Sequence, residues 1–182
     1  DLKEVYTSMA GQVDRLKIYV SAMNDLQRLE DIEIKKQSVQ TVDFIMQLKD
    51  TAKIICSNKQ LTFSNEITTE TIYICPEIVL QVVENLLSNA IRFARSSIYM
   101  KCCTIDNSFI INVTDNGIGF NETVLKYATN PFYTTERKDS SGHFGLGLNI
   151  CKILCERHSG TITLSNLPTG GASITVAFGM DE

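Results

Sequence analysis

The sequence predicts an α/β fold preceded by one long helix, and three patterns point to it. Apolar residues recur every seven positions through residues 1–30. From Ile32 onward, period-two runs alternate with helical stripes, as when strands and helices share one core. Two glycine-bearing turns bracket a polar loop between one such run and one such stripe, within Asp115 to Ile150.

The first helix is read from Leu2, Met9, Leu16 and Met23, joined by Val5, Gln12, Tyr19 and Leu26, a heptad seam with one polar position. A lone helix cannot bury such a seam, so its cover is a second copy of the chain or its own domain. The chain starts inside this pattern at Asp1, with no start methionine, and is expected to be an excised fragment. Arg28-Leu29-Glu30-Asp31 reads as a connector. Ile32 to Val39 is expected as a strand, and Val42 to Ser57 as a helix with Phe44, Ile45, Leu48, Ala52 and Ile55 inward. Leu61 to Ile67 and Thr71 to Cys75 read as two more strands. Glu77 to Ala94 follows as a helix. Pro76 suits its first turn, Glu77 complements its positive end, and Val79, Val83, Leu86, Leu87, Ala90 and Ala94 form its apolar stripe. Strands near Ser97–Ile105 and Ser108–Thr114 are joined by Asp106-Asn107, a good hairpin turn. A short helix at Glu122–Tyr127 and a helix at Leu146–His158, stopped by Ser159-Gly160, come next. Strands Thr161–Ser165 and Ala172–Phe178 close the order around Pro168-Thr169-Gly170-Gly171.

The chemistry concentrates at the two glycine turns. Asp115 ends a strand in Asp115-Asn116-Gly117-Ile118-Gly119. An ionised carboxylate only accepts hydrogen bonds, so on a pocket floor it favours adenine, with its exocyclic amine, over guanine, with a carbonyl there. Gly117 and Gly119 let the main chain approach a flat ligand. At the far end, in Gly142-His143-Phe144-Gly145-Leu146-Gly147-Leu148, Gly145 and Gly147 open a helix whose free amides attract phosphate. Either turn alone is ordinary. Together they describe a nucleotide site. The polar stretch between them, Asn130 to Ser141, exceeds the ~4–6 residues of an ordinary connection and has the profile of a lid or binding segment. On the helix before the site, Asn85, Asn89 and Arg92 share a face away from the apolar stripe. Asparagine is a mediocre helix former. Two of them one turn apart either bond neighbouring loops or serve a ligand, and an amide oxygen is a hard donor suited to Mg²⁺.

Four segments now stand together: Asn85-Leu86-Leu87-Ser88-Asn89-Ala90-Ile91-Arg92-Phe93, Asp115-Asn116-Gly117-Ile118-Gly119-Phe120, Pro131-Phe132-Tyr133-Thr134-Thr135 and Gly145-Leu146-Gly147-Leu148. They resemble, in order, the N, G1, F and G2 boxes of bacterial sensor histidine kinases. Those belong to the GHKL ATPase superfamily, which also holds DNA gyrase B, Hsp90 and MutL. The likeness spans Val39 to Phe178. It implies a two-layer α/β sandwich of the Bergerat type over residues 32–182, with helices on one face of a mixed sheet. It makes residues 1–30 the second helix of a dimerisation and phosphotransfer domain.

The resemblance also implies ATP and Mg²⁺ as cofactors, with Asn89 as the metal ligand and Asn85, Asn89 and Arg92 as the catalytic set. Around the nucleotide it places Asn89, Arg92, Phe93, Asp115, Gly117, Gly119, Phe132, Thr134, Thr135, Gly145, Leu146, Gly147 and Leu148. Asp115 would receive the adenine amine, Phe93 would pack beside the base and Phe132 would anchor the lid. The implied reaction is phosphoryl transfer to a histidine outside the chain, in two-component signalling. The implied partner is a response regulator, and the implied assembly a homodimer through the heptad helix. The implied location is a cytoplasmic domain of a membrane-bound sensor whose membrane segments lie upstream.

Two departures bear on this. Hydrolytic relatives carry a glutamate base where Asn85 stands, and asparagine cannot take a proton, so transfer to a protein acceptor is favoured over hydrolysis. Glu84 is adjacent, but one residue is ~100° of helix, so it should point elsewhere. No histidine precedes His143, so the acceptor histidine is expected upstream. A non-catalytic nucleotide-binding module and an anti-sigma-type serine kinase are the alternatives.

Composition narrows the field. A net charge of −4 argues against nucleic-acid binding, which needs concentrated Lys and Arg. No run approaches the ~18 apolar residues of a membrane helix, and no signal pattern opens the chain. Cys56, Cys75, Cys102, Cys103, Cys151 and Cys155 lack paired spacing and read as buried thiols. Cys151, Cys155 and His158 share a helix face, so zinc is a lesser alternative to a helix packed on a core through Ile150, Ile153 and Leu154. His158 suits a helix C-terminus. His143 either touches phosphate or is solvated, and Arg137 and Lys138 either neutralise the γ-phosphate or form a solvated pair.

Overall fold

The computed structural model describes residues 2–134 and 145–181. The element order is α1 (Leu2–Glu30), β1 (Gln37–Gln40), α2 (Thr41–Ile55), β2 (Gln60–Asn65), β3 (Thr71–Ile74), α3 (Pro76–Phe93), β4 (Ser97–Ile105), β5 (Ser108–Asp115), α4 (Glu122–Tyr127), α5 (Gly147–Arg157), β6 (Thr161–Asn166) and β7 (Ala172–Gly179). Five strands form a mixed sheet in the order β2-β4-β5-β7-β6, with β2 parallel to β4 and the other pairs antiparallel. β1 and β3 form a separate antiparallel pair.

Period-two alternation decides which face of the sheet the helices cover. The register puts Met100 opposite Val113 and Val113 opposite Ile174, then Cys102 opposite Ile111 and Ile111 opposite Val176, then Phe109 opposite Phe178, and all of these are buried. Between them Lys101, Asn112 and Thr175 form a polar row on the other face, where Asn112 Nδ2 donates to Ser173 Oγ and Thr175 Oγ1, each at 2.9 Å. Helices α2, α3 and α5 share the apolar side. The expected stripe of α3 is buried, and Ile78 and Val82 widen it, because α3 is flanked by α2 and α5 as well as by the sheet. Phe109 joins the layers, its ring centroid 6.2 Å from Phe44 and 6.3 Å from Phe178. The β4–β5 hairpin turns through Asp106 and Asn107 at φ 45° and 57°, the paired positive angles of a type I′ turn. Burial pushes the thiols of Cys102 and Cys155 up to about 12, so both stay protonated and unreactive.

Some boundaries and faces differ from expectation. The strand expected at Ile32–Val39 forms only at Gln37–Gln40, because its partner runs out: Gln37 pairs with Ile74, and the next residues, Cys75 and Pro76, already cap and start α3. Ile32 and Ile34 pack on the core as a connector instead, and Arg157 Nη2 donates to the Ile32 carbonyl at 2.6 Å. The strand expected to reach Ile67 stops at Asn65, whose Oδ1 accepts the Ile67 N–H at 3.1 Å. On α5 the buried residues are Asn149, Cys151, Leu154 and Cys155, with Leu148 and Ile150 at the margin, while Ile153 stays outside the core. The small thiols let α5 approach α3 closely, and Cys151 Sγ donates to the Val82 carbonyl at 3.7 Å. His158 is fully buried at the end of α5, its Nε2 accepting the Cys75 N–H at 2.9 Å and its ring edge-on to Phe178 at 5.3 Å. Among the described residues no three His, Cys, Asp or Glu side chains are grouped so as to hold a metal ion.

On α1, the seam residues Val5, Met9, Leu16 and Met23 are exposed, as are Tyr6, Val13 and Val20 beside them. The side chains of Leu2, Tyr19 and Leu26 lie outside the described set. Leu29, near the end of the helix, packs on the core. Among the described residues no helix is long and apolar enough to cross a membrane.

Candidate functional site

The second half of α3, the end of β5 and the start of α5 converge on a cavity of about 560 Å³. From α3 come Asn85, Asn89, Arg92 and Phe93, which share one helix face because 85, 89 and 92 are spaced by four and three. Asn85 Nδ2 donates to the Gln81 carbonyl one turn back at 3.0 Å, which leaves its amide oxygen as an acceptor. A Cβ on Gly147 would stand 3.4 Å from Asn85 Oδ1 and 3.7 Å from Asn89 Nδ2, so both amides face the start of α5. The Arg92 guanidinium lies 4.5 Å over the ring of Phe93.

At the opposite end stands Asp115, the last residue of β5 and 8% exposed. Its Oδ1 accepts the Gly117 N–H at 2.7 Å. Burial pushes the carboxyl above its usual range, and hydrogen bonds from the Gly117 and Ala172 amides oppose that shift. A carboxylate offers about four acceptor positions, so these two donors leave capacity toward the cavity. Gly117 must be glycine: a Cβ would stand 2.3 Å from the Phe93 carbonyl oxygen and 2.7 Å from Asp115 Oδ1.

The start of α5 has Leu146 at its cap with no side-chain bond to the first amides, and its first helical bond runs from Ile150 N–H to the Leu146 carbonyl. The earlier amides are therefore available to an anion. Gly145, at φ 68°, packs against Tyr133: a Cβ would stand 2.2 Å from the Tyr133 carbonyl oxygen. This contact brings the described residues on either side of 135–144 together. Asn149 adds a second tie, donating to the Thr129 carbonyl at 2.9 Å.

Most of the residues expected at the site line this one cavity, with Gly119, Thr134, Leu146 and Leu148 among them. Gly117 and Phe132 do not. Gly117 sits behind Asp115, and Phe132, at φ 62°, is half-buried in the loop base. Thr135, Arg137, Lys138 and His143 lie outside the described residues. Sequence reasoning missed the walls: Val113 and Ile174 from the sheet, Ala172 at the start of β7, and Val124 and Ala128 from the α4 region. Strand alternation could have placed Val113 and Ile174 on the helix side. Nothing in the spacing pointed to α4.

A helix-covered sheet with a carboxylate at a strand end and an uncapped helix start across one cavity defines a nucleotide-binding α/β protein. The chain belongs to the family of histidine kinase-, DNA gyrase B-, and HSP90-like ATPases, whose profile matches residues 76–182. It is 32% identical to the sensor protein kinase WalK of Staphylococcus saprophyticus over 86% of this chain and 28% of that protein. It is 28% identical to the sensor histidine kinase SpaK of Bacillus subtilis over 91% of this chain and 38% of that protein. The chain thus spans well under half the length of these relatives. Among solved structures, the Acinetobacter baumannii histidine kinase AdeS shares the fold at a TM-score of 0.69 and 20% identity, covering 97% of this chain and 84% of that one. Full-length ShkA in complex with AMPPNP does so at 0.71 and 19% identity, covering 90% of this chain and 36% of that one.

Proposed function

We propose that this chain is the ATP-binding catalytic region of a sensor histidine kinase, passing the γ-phosphoryl group of ATP to a histidine outside these residues. The observation that carries the reading is a single cavity with a buried carboxylate at one end and, at the other, two asparagine amides facing an uncapped helix start. Asp115 accepts the adenine amine, and Phe93 lies beside the base. The free amides of α5 and the Arg92 guanidinium meet the phosphates. Thr134, Leu146 and Leu148 border the nucleotide, and Phe132 and Thr135 complete the nucleotide-binding set that the family likeness implies.

Asn85 and Asn89 offer amide oxygens one turn apart, the hard donors that Mg²⁺ takes together with water and phosphate oxygens. They fit that ion, with Asn89 as its ligand. Bound there, Mg²⁺ would neutralise charge on the phosphate oxygens. The acceptor imidazole nitrogen bonds to the γ-phosphorus as the bridging bond to the β-phosphate breaks and ADP leaves. The residues of this chain hold the triphosphate for that displacement. Among the described residues Asp115 is the only carboxylate lining the cavity, and Glu84 is exposed on another face of α3. Neither Asn85 nor any described acid beside it can activate water, which favours transfer over hydrolysis.

Residues 32–182 form the catalytic unit in this reading, and residues 1–30 belong to a dimerisation and phosphotransfer domain. The exposed apolar residues of α1 support a homodimer through that helix. The phosphoryl group then passes to a response regulator. The test is incubation with γ-labelled ATP, with and without an acceptor-bearing domain. Acid-labile label should appear only with that domain. Rapid phosphate release by the chain alone, or acid-stable label on serine or threonine, would overturn the reading.

A further inference from the structure

In the sequence the β6–β7 hairpin reads as two strands around the turn Pro168-Thr169-Gly170-Gly171 with no link to the site, yet in the structure it closes against the first glycine turn of the cavity. A Cβ on Gly171 would stand 2.0 Å from the Asp115 carbonyl oxygen. At the end of β6, the Asn166 amide reaches the same segment. Its Oδ1 accepts the Phe120 N–H at 2.7 Å, and its Nδ2 donates to the Phe120 carbonyl at 2.8 Å. That pair reproduces the two bonds a neighbouring strand would make, at a point where residues 118–121 have no regular structure. The other side of the turn is held in the same way. Asn116 Oδ1 accepts the Ser96 and Ser97 N–H groups, each at 3.0 Å, and Asn116 Nδ2 donates to Ser96 Oγ at 2.9 Å.

We propose that Asn166 is a positioning residue of the adenine end of the cavity, fixing Gly119 and Phe120 through its paired bonds to the Phe120 main chain. The proposal rests on the reading of the cavity as an ATP site. Gly119 and Phe120 both line the cavity, whereas Asn166 does not, so its effect passes through the main chain. A Cβ on Gly119 would stand 2.7 Å from Asn166 Oδ1, so the amide occupies the space a side chain at 119 would need. A segment with two glycines is free to wander when unheld, because glycine populates conformations closed to other residues. A wandering wall reduces apparent affinity by the fraction of time it is correctly placed. The clamp keeps that fraction high before the ligand arrives. The β6–β7 hairpin is thereby a further element of the site, beyond the four motifs.

The experiment compares wild type with Asn166→Ala and Asn166→Asp, the latter keeping the acceptor for Phe120 N–H but setting an oxygen against the Phe120 carbonyl. Calorimetry with adenosine and with Mg-ATP is run well below the unfolding temperature, beside amide exchange at Phe120 without ligand. For Asn166→Ala, loss of two neutral hydrogen bonds should weaken both ligands by about tenfold and by the same factor, since the base end is affected. Phe120 N–H should exchange faster. Unchanged exchange overturns the clamp, and faster exchange with unchanged adenosine affinity overturns its positioning role. Absence of adenosine and ATP binding in the wild type overturns the nucleotide reading itself, an outcome separate from a loss confined to the variants. If Asn166→Ala unfolds, Asn166→Asp carries the same comparison.

Discussion

Asp115→Asn isolates charge from shape at the base end of the cavity. The side chain is 8% exposed, and its Oδ1 holds the Gly117 amide at 2.7 Å. Asparagine can keep that acceptor, but its NH₂ then faces the adenine amine, donor against donor. A hydrogen bond to a charged group is worth ~1.5–3 kcal/mol, so ATP and adenosine should each bind ~10- to 150-fold more weakly. GTP should gain relative to ATP, because an amide can donate to the guanine carbonyl. Stability should move the other way. Burial raises the folded pKa of Asp115, so the ionised form is penalised in the native state relative to the unfolded chain. The penalty develops as pH rises from the unfolded value of 3.8 through the raised folded value, and it persists at neutral pH. Asparagine removes it, so the melting temperature should hold or rise. Calorimetric titration with the three ligands and a thermal melt decide the matter. Unchanged ATP affinity would refute the assignment of the base end, and a fall in melting temperature would refute the electrostatic argument.

Asn89→Ala should spare adenosine binding while abolishing the Mg²⁺-dependent part of ATP affinity; equal ATP affinity with and without Mg²⁺ in the parent protein would sink that role. His158 is held neutral by burial, which lowers its folded pKa, and the charge on Lys36 pushes the same way. Its contribution is therefore complete above the unfolded value of 6.5 and declines as pH falls below it, toward the lowered folded value. Urea unfolding at pH 7.5 and 5.5 should show a loss in the wild type that His158→Gln, able to accept from Cys75 N–H, reduces. Phe109→Ala should destabilise by ~3–5 kcal/mol, because a fully buried ring between Phe44 and Phe178 leaves a cavity. A loss under ~1 kcal/mol would mean the site collapses freely.

What was legible in the sequence was whatever one segment states on its own. The stripe of α3, the alternation of β4 and β5 and the Asp106-Asn107 turn are local patterns, and they appear in place. The motif residues of α3 line one cavity with Asp115, Gly119, Gly145 and Gly147, because each motif already specifies a strand end or a helix start. Features that depend on a distant neighbour were not legible. β1 is short because β3 is short, which nothing in Ile32–Val39 announces. Leu154 and two cysteines, rather than Ile150 and Ile153, form the centre of the buried face of α5, because α3 approaches from that side. The Asn166 bonds span 46 residues and depend on a register that no spacing rule predicts.

The two helices that flank the cavity are also joined at their far ends, and this ties the site to the connector. α5 starts at Gly147 beside Asn85 and Asn89 and ends at His158, which accepts from Cys75, the cap of α3. The preceding Arg157 holds the Ile32 carbonyl of the segment leading from α1. The connector is therefore bonded to the end of a helix whose other end faces the amides of α3. Between those ends α5 is held to α3 at Cys151, whose Sγ donates to the Val82 carbonyl, and at His158, which accepts the Cys75 N–H. In this geometry α5 meets the connector from α1 at its C-terminal end, through Arg157, and the amides of α3 at its N-terminal end, at Gly147.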